Sequence, residues 1–286
     1  MKLKWNKAPW KKRSAKEERN RQIMEEREFL LKKDSEFFAR EAYNSLRTNV
    51  VFSLTGEEAC KIVAVTSSMQ SEGKSITAAN LALSFAEADK RVLLIDCDLR
   101  KPKLSRLLDM SAKYGLSNVL MEPQLLENAV LQYPAAQNMH VILSGSIPPN
   151  PSELLGSSRM EKLLESQKEK YDYIILDTPP INMVTDAVVL STYVDGLLLV
   201  IRANQSERGA VMYSLEQLSY AKAKILGFVF NGVDQAASSY SKYAYRKYRR
   251  YGYGKYKYGY GGHGYGYGYG YGYRARSETD EKESDQ

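Results

Sequence analysis

The chain has 286 residues, with 41 Lys and Arg against 34 Asp and Glu, and a formal net charge of +7. Its two cysteines, Cys60 and Cys97, exclude a disulfide framework, and the absence of a C-x-x-C pair argues against a cysteine metal site. The longest apolar runs are far shorter than the roughly 18 residues that a membrane span needs. No apolar signal segment follows the basic N-terminus, so we expect a cytoplasmic protein.

The positive charge belongs to the two ends of the chain. Residues 1–33 carry a net +7, residues 235–277 carry +9 and the last nine residues carry −4, which leaves −5 for the stretch between. We therefore predict three parts: a basic N-terminal arm at 1–33, one folded domain at 34–234, and a disordered tail with an acidic end at 235–286. A negative core argues against nucleic acid as the partner of the folded domain.

Helices and strands alternate through the predicted domain. Apolar residues at three- and four-residue spacing predict a helix at 35–52. Further helices are predicted at 74–88, 152–169 (with Ser152 as N-cap) and 208–221, and strands at 61–67, 92–98, 141–143, 171–177, 196–202 and 225–230. These strands are continuous apolar runs without alternation, which indicates a mostly parallel sheet covered by helices on both faces.

The predicted tail is rich in tyrosine and glycine, and holds 14 of the 22 tyrosines. This segment contains too few aliphatic residues to bury the surface that would offset the entropy lost on ordering. Its composition therefore predicts disorder. The 14 tyrosines are Tyr240, Tyr243, Tyr245, Tyr248, Tyr251, Tyr253, Tyr256, Tyr258, Tyr260, Tyr265, Tyr267, Tyr269, Tyr271 and Tyr273.

A phosphate-binding loop is predicted between the strand at 61–67 and the helix that begins at Lys74. The segment Ser68-Met-Gln-Ser-Glu-Gly-Lys-Ser75 differs from the P-loop pattern G-x-x-x-x-G-K-[ST] only at its first glycine. A strand-to-helix turn directs backbone N–H groups and the positive end of the helix toward a polyphosphate. Gly73 permits close approach, Lys74 can reach the β- and γ-phosphates, and the Ser75 hydroxyl can bind Mg²⁺.

Two further strands are predicted to end in acidic residues. Asp96 and Asp98, followed by Arg100, end the strand at 92–98, and Asp177 ends the strand at 171–177. Ligands of open α/β sheets bind at the carboxyl ends of the strands, so these acids are expected to converge on the phosphate loop. Asp177 has the form of a Walker B acid, which holds Mg²⁺. Of Asp96 and Asp98, one would help to organise Mg²⁺ and the other would take a proton from an incoming hydroxyl.

Together these residues resemble the bacterial tyrosine kinases, which are deviant-Walker ATPases of the P-loop NTPase fold. The resemblance runs from about Glu41 to the terminal tyrosines. Three matches carry it: Ser71-Glu-Gly-Lys-Ser75 for the family's G-E-G-K-S, Asp96-Cys-Asp98-Leu-Arg100 for its Walker A′ motif D-x-D-x-R, and the Walker B acid with the tyrosine cluster. Pro148-Pro-Asn-Pro-Ser-Glu-Leu-Leu155 is also similar to a stretch of these kinases. Ser71 replaces the family's usual glycine.

The resemblance implies an ATP- and Mg²⁺-dependent protein-tyrosine kinase that phosphorylates its own C-terminal tyrosines in trans. The implied ATP-binding residues are Gln70, Ser71, Glu72, Gly73, Lys74, Ser75 and Ile76. The implied catalytic residues are Lys74, Asp96, Asp98 and Arg100, and the implied metal ligands are Ser75, Asp96 and Asp177. Asn231, at the end of the last predicted strand, is either an adenine contact or a turn asparagine before Gly232, and we favour the turn.

The resemblance also implies partners. Glu41-Ala-Tyr-Asn44-Ser-Leu-Arg47 resembles the family's oligomerisation motif E-x-x-R-x-x-R, with Asn44 in place of the middle arginine, so Glu41 and Arg47 are expected to support a ring of identical subunits. Family members without a membrane span are recruited to the inner face of the membrane by a small transmembrane activator. They control capsule or exopolysaccharide export and are opposed by a cognate phosphatase.

Two other functions remain open from the sequence. A partitioning or positioning ATPase would carry a signature lysine five residues before Lys74, where this chain has Met69. Alternatively, the tyrosine- and arginine-containing tail would bind RNA or self-associate while attached to an ATPase, since aromatic and cationic side chains bind single strands. The kinase interpretation accounts for both features, because Met69 departs from the positioning ATPases and tyrosines separated by glycines can enter an active site.

Overall fold

The computed structural model describes residues 25–233, except 33, 34, 55 and 57. These residues belong to one compact unit, which ends at Val233. The predicted tail, with all its candidate tyrosines, and the arm up to residue 24 lie outside the described residues. Within the described part, no helix is long and apolar enough to cross a membrane.

A seven-stranded sheet forms the centre of the unit, in the order β3-β4-β2-β5-β1-β6-β7. All neighbouring pairs are parallel except β3 with β4. The strands are β1 (Lys61–Ser67), β2 (Val92–Asp96), β3 (Val130–Gln132), β4 (Met139–Ile142), β5 (Tyr173–Asp177), β6 (Gly196–Arg202) and β7 (Ile225–Asn231). The predicted mostly parallel P-loop sheet is confirmed.

Helices cover both faces of the sheet. They are α1 (Phe37–Ser53), α2 (Lys74–Glu87), α3 (Leu104–Leu107), α4 (Leu116–Met121), α5 (Leu126–Ala129), α6 (Pro151–Leu155), α7 (Ser158–Lys168), α8 (Asp186–Leu190) and α9 (Arg208–Tyr220), with 3-10 turns at Pro123–Leu125 and Ser191–Tyr193. Successive residues of β1 contribute to opposite cores, Ile62 to the one with α7 and α9 and Val63 to the one with α2. This two-sided burial is why the strands read as continuous apolar runs.

The structure differs from the prediction in its short elements. The predicted helix at 152–169 is two helices, α6 and α7, separated at Gly156 and Ser157. Ser152 lies inside α6 and is not its N-cap, because Asn150 precedes the helix and the Ser152 hydroxyl bonds elsewhere. Helices α3, α4, α5 and α8 and the antiparallel strand β3 have only three to six residues each, too few for an apolar period to be recognised.

Residues 25–32 lie against the body of the chain, although the sequence placed them in the solvated arm. Leu30 and Leu31 are buried. The Asn80 side chain of α2 accepts a hydrogen bond from the Leu31 N–H and donates one to the Phe29 carbonyl, both at 2.8 Å. Asn80 thus holds the backbone of this segment at two points. The apolar residues of the segment by themselves do not predict these hydrogen bonds.

Candidate active site

The predicted phosphate loop lies between β1 and α2 and has two residues with positive φ. Gly73 has φ 98° at the start of α2, and Ser71 has φ 65°. The left-handed region costs a residue with a side chain roughly 1–2 kcal/mol relative to glycine. This explains why a glycine is usual where this chain has Ser71.

Side chains from the ends of β6 and β7 hold the carbonyls of this loop. The Arg202 guanidinium donates to the carbonyl of Ser71 at 3.0 Å, and the Asn231 amide donates to that of Glu72, also at 3.0 Å. Asn231 also accepts a hydrogen bond from the Gly232 N–H at 2.8 Å, so it makes the predicted turn and in addition supports the loop. The sequence did not reveal Arg202, because a single arginine after a strand is a common feature.

Glu72 supports the loop from within. It is 1% exposed, and its carboxylate accepts hydrogen bonds from the Met69 N–H at 2.9 Å and from the Ser206 hydroxyl. Its side chain therefore connects the loop to the turn after β6.

Two other residues of the loop region are also predicted to bind the nucleotide. Gln70 is exposed and accepts a hydrogen bond from Lys101 at 3.4 Å. Ile76 is half-buried on the first turn of α2.

Lys74 meets the predicted acids at the carboxyl end of the sheet. Its ammonium nitrogen lies 3.0 Å from Asp98 Oδ2, 3.2 Å from Asp177 Oδ1 and 3.2 Å from the Ser75 hydroxyl. Burial alone would lower the pKa of Lys74, but Asp177, Asp98 and Asp96 outweigh it and raise that pKa. Lys74 is therefore a firmly protonated cation inside an acidic cluster.

Asp96 lies beside Asp177, because these two residues are paired across β2 and β5. Asp96 is fully buried, and its two oxygens accept hydrogen bonds from the N–H groups of Asp98 and Leu104, each at 3.2 Å. Burial and the charge of Asp177 raise its pKa well above the ordinary value. Burial also raises the pKa of Asp177, and Lys74 opposes this effect. The three predicted acids and Lys74 thus form one cluster at the carboxyl ends of the strands.

The sequence of this chain is similar to those of known proteins. The family model for the AAA domain matches residues 60–222. The tyrosine-protein kinase YwqD of Bacillus subtilis is 42% identical over 205 residues, which are 72% of this chain and 85% of that protein. The tyrosine-protein kinase CpsD of Streptococcus agalactiae is 38% identical over 204 residues, 71% of this chain and 87% of that protein. The chain belongs to the bacterial tyrosine kinases.

A solved structure agrees with this assignment. The kinase domain of the Escherichia coli tyrosine kinase ETK is 35% identical to this kinase, with a TM-score of 0.66, and the match covers 78% of this chain and 80% of that one. The predicted class of enzyme, a protein-tyrosine kinase, is thereby confirmed.

The acidic group of the kinase fits Mg²⁺ that arrives with a nucleotide. Asp177 Oδ2 is buried and has no hydrogen-bond partner among the described residues. Asp96 lies beside it, and Ser75 supplies a hydroxyl at the start of α2. In the described residues, no group of three or more His, Cys, Asp or Glu residues is arranged to hold a metal alone. Mg²⁺ commonly binds through one or two carboxylates together with substrate phosphates, so this donor set suits it.

Arg100 of the kinase, which the resemblance implies to be catalytic, pairs with a residue outside the group around Lys74. Its guanidinium makes a two-pronged salt bridge with Asp186, at 3.0 and 3.1 Å, and donates to the Ser152 hydroxyl at 2.9 Å. Within the described part of the chain, no hydrogen bond or salt bridge joins it to Lys74 or Asp177. The structure therefore brings Lys74, Asp96, Asp98 and Asp177 together and directs Arg100 to a neighbouring network, whose members Asp186 and Ser152 the sequence had not linked to the site.

The predicted oligomerisation residues lie on α1. Glu41 is exposed and accepts a hydrogen bond from Asn44 at 3.0 Å. Arg47 is half-buried and donates to the hydroxyl of Ser84 at 2.9 Å and to its carbonyl, so in this chain it joins α1 to α2. A role of Glu41 and Arg47 between subunits stays a prediction.

Proposed function

We propose that the chain is an ATP- and Mg²⁺-dependent kinase that phosphorylates the C-terminal tyrosines of neighbouring copies. The observation that carries this proposal is the contact of Lys74 with both Asp98 and Asp177, beside Asp96, at the start of α2. This arrangement combines a phosphate-binding cation, acids suited to Mg²⁺, and a carboxylate that can accept a proton. Phosphoryl transfer depends mainly on such positioning and on charge stabilisation.

The reaction requires an activated phenol. A tyrosine hydroxyl has a pKa of about 10, so it is a poor nucleophile at neutral pH. The phenolic oxygen forms a bond to the γ-phosphorus while the bond from that phosphorus to the β,γ-bridging oxygen breaks, and ADP leaves. The phenolic proton passes to Asp96 or Asp98.

The binding groups have separate tasks in this proposal. Lys74 would turn from the acids to the β- and γ-phosphates when ATP binds. Ser75, Asp96 and Asp177 would hold Mg²⁺, which neutralises charge on the phosphate oxygens. Gly73 and the neighbouring N–H groups of the loop, kept in place by Arg202 and Asn231, would surround the phosphates.

The proposed substrate is the predicted tail, with the 14 tyrosines from Tyr240 to Tyr273. Its net charge of +9 over residues 235–277 favours approach to a domain of net charge −5. If the kinase phosphorylates its own tail, this also explains why the tyrosine-rich segment lies on the same chain as the catalytic domain. The alternative of an RNA-binding tail is tested by the same experiment, because it predicts no phosphotyrosine.

The proposed setting follows from the family resemblance. We propose a ring of identical subunits joined through Glu41 and Arg47 on α1, a transmembrane activator that recruits the ring to the inner face of the membrane, and a phosphatase that reverses the modification. Control of capsule or exopolysaccharide export would be the output. The N-terminal arm is the candidate contact for the activator.

A mixing experiment tests the central claim. Chains with Lys74→Met keep the tail but lack the phosphate-binding cation, and chains truncated before Tyr240 keep the catalyst but lack the tail. Each alone, with labelled ATP and Mg²⁺, should form no phosphotyrosine, and the mixture should label the Lys74→Met chain. The reactions are run with and without a cytoplasmic segment of the activator.

Several outcomes contradict the proposal. Labelling of Lys74→Met alone would exclude the assigned site, and label on serine would exclude tyrosine transfer. Labelling of full-length chains without labelling in the mixture would show transfer within one chain. ATP hydrolysis with no phosphotyrosine under every condition would favour a positioning ATPase.

A further inference from the structure

A buried carboxylate lies at the edge of the proposed site, in a segment that the motifs do not include. Asp186, the first residue of α8, is fully buried. Its Oδ2 accepts a hydrogen bond from Arg100 Nε at 3.0 Å, and its Oδ1 accepts one from Arg100 Nη2 at 3.1 Å and one from the Ser152 hydroxyl. The geometry is the two-pronged arginine–carboxylate pair, which fixes orientation as well as distance.

This network joins three segments that are far apart in the sequence. Arg100 belongs to the loop after β2, Ser152 lies in α6, and Asp186 begins α8 after β5. Ser152 contacts both partners, since it also accepts a hydrogen bond from Arg100 at 2.9 Å. The loop after β2 is thus attached to two helices.

The same loop carries a residue of the proposed catalytic group. Asp98 lies two positions before Arg100, contacts Lys74 at 3.0 Å, and accepts the N–H of Lys101 at 2.9 Å. The hydrogen bond between Asp98 and Lys101 closes a short turn that contains Arg100. The direction of the Arg100 side chain therefore restricts where the Asp98 carboxylate can lie. Asp186 therefore affects the position of Asp98 indirectly, through Arg100, which lies two residues after Asp98.

We propose that Asp186, with Ser152, is a positioning residue for tyrosine phosphorylation: it anchors Arg100 and thereby holds the loop that places Asp98 beside Lys74. The inference rests on the proposed function and deepens it. It gives Arg100 an indirect role, in contrast to the catalytic role that the family resemblance implies. Misplacement of a catalytic group by about 1 Å can cost roughly 100-fold in rate.

The test compares Asp186→Asn, Arg100→Gln and the double variant. We expect each single variant to lower the kcat of tail phosphorylation by about 10- to 100-fold. The Kd of a fluorescent ATP analogue should stay within about twofold of wild type, because the contacts of Arg202 and Asn231 with the phosphate loop remain. The double variant should be no slower than the slower single variant, because both substitutions break one anchor.

A matched control is available at the other end of the sheet. Asp172 also pairs with one arginine: Arg91 Nη2 and Nε donate to its Oδ1 at 2.8 and 3.3 Å, but this pair lies on the surface. Asp172→Asn should leave the kcat unchanged. Ser152→Ala serves as a second test variant, because it removes the hydrogen bonds of Ser152 with Arg100 and Asp186 and leaves the salt bridge between Arg100 and Asp186 in place. It should lower kcat in the same way but less.

The outcomes are separable. A folded Asp186→Asn protein with wild-type kcat would overturn the inference. A double variant whose fold-loss in kcat equals the product of the two single fold-losses would also overturn it, because Arg100 would then act independently of Asp186. If Asp186→Asn unfolds, Ser152→Ala decides: wild-type kcat in that variant overturns the anchor. A wild-type chain that forms no phosphotyrosine would instead refute the proposed function, whatever the variants do.

Discussion

Lys74 and Asp177 lie side by side, with Nζ 3.2 Å from Oδ1, and the Asp177 side chain is fully buried. Asp98 lies at 3.0 Å from the same ammonium group. Without a nucleotide, Lys74 is therefore the counter-ion of the acids that the proposed reaction needs. One cation against three buried aspartates leaves an excess of negative charge, and this excess decides how the protein should respond to pH.

The stability of the nucleotide-free protein should fall as pH rises, through the buried acids. Burial raises the pKa of Asp96 and of Asp177. A carboxyl group with a higher pKa in the folded state binds more protons when folded, so its contribution to stability declines above the ordinary value of about 4. Asp96→Asn should therefore raise the free energy of unfolding at pH 7 and flatten its decline as pH rises above about 4.

Urea unfolding of the two proteins across that range checks this expectation. Asp172→Asn should lower the free energy of unfolding at pH 7, which is the opposite of the effect expected for Asp96→Asn. Arg91 lowers the pKa of Asp172, so the contribution of Asp172 to stability is lost as pH falls. A loss of stability in Asp96→Asn at pH 7 would mean that the two backbone hydrogen bonds to the carboxylate outweigh its burial.

Ser71→Gly should stabilise the protein. Ser71 has φ 65°, and relief of this left-handed conformation is offset in part by the greater freedom of glycine in the unfolded chain. We expect a net gain of about 0.5–1 kcal/mol in the free energy of unfolding, measured in urea. Asp89→Gly relieves φ 57° beyond the other end of α2 and should give a similar gain without any change in nucleotide affinity. Destabilisation by Ser71→Gly alone would contradict the assigned strain.

Gly73→Ala should abolish nucleotide binding through a specific collision. A Cβ at position 73 would lie 1.9 Å from the Asn231 amide nitrogen, and φ is 98° there. Asn231→Ala alone should cost about 1 kcal/mol of stability, since it removes the hydrogen bond to Glu72.

The double variant Gly73→Ala/Asn231→Ala should recover part of the nucleotide affinity, because the collision is removed while the backbone strain remains. Titration with a fluorescent ATP analogue measures this coupling. If the double variant binds no better than Gly73→Ala alone, backbone conformation and not the contact with Asn231 decides the requirement for glycine.

Phosphorylation of the predicted tail should loosen the proposed oligomer. Each phosphate adds about −1.5 to −2 charges, so about five or six cancel the +9 of residues 235–277. Tails attracted to negatively charged domains of neighbours would then be released. Light scattering of the protein before and after incubation with ATP, at low and high salt, measures the change. The same mass in both states would contradict the charge-switch mechanism.

The sequence alone determined the class of fold and predicted which residues meet at the candidate active site. A strand followed by Gly73-Lys74-Ser75, and two buried strands ending in Asp96 and Asp177, predict one site because the carboxyl ends of parallel strands meet at one edge of a sheet. The long strands and helices were recognisable because burial leaves a periodic signal within each segment. Local pattern and local chemistry were sufficient for these features.

Only the tertiary structure decided which distant side chains support that group. Arg100 pairs with Asp186, Glu72 is held by Ser206, and Asn231 reaches the phosphate loop, over separations of 86, 134 and 159 positions. Short helices such as α6 and α8 carry no readable period, yet they place Ser152 and Asp186. Contacts of this kind depend on how layers pack in space, and a single sequence records no trace of which remote residues will meet.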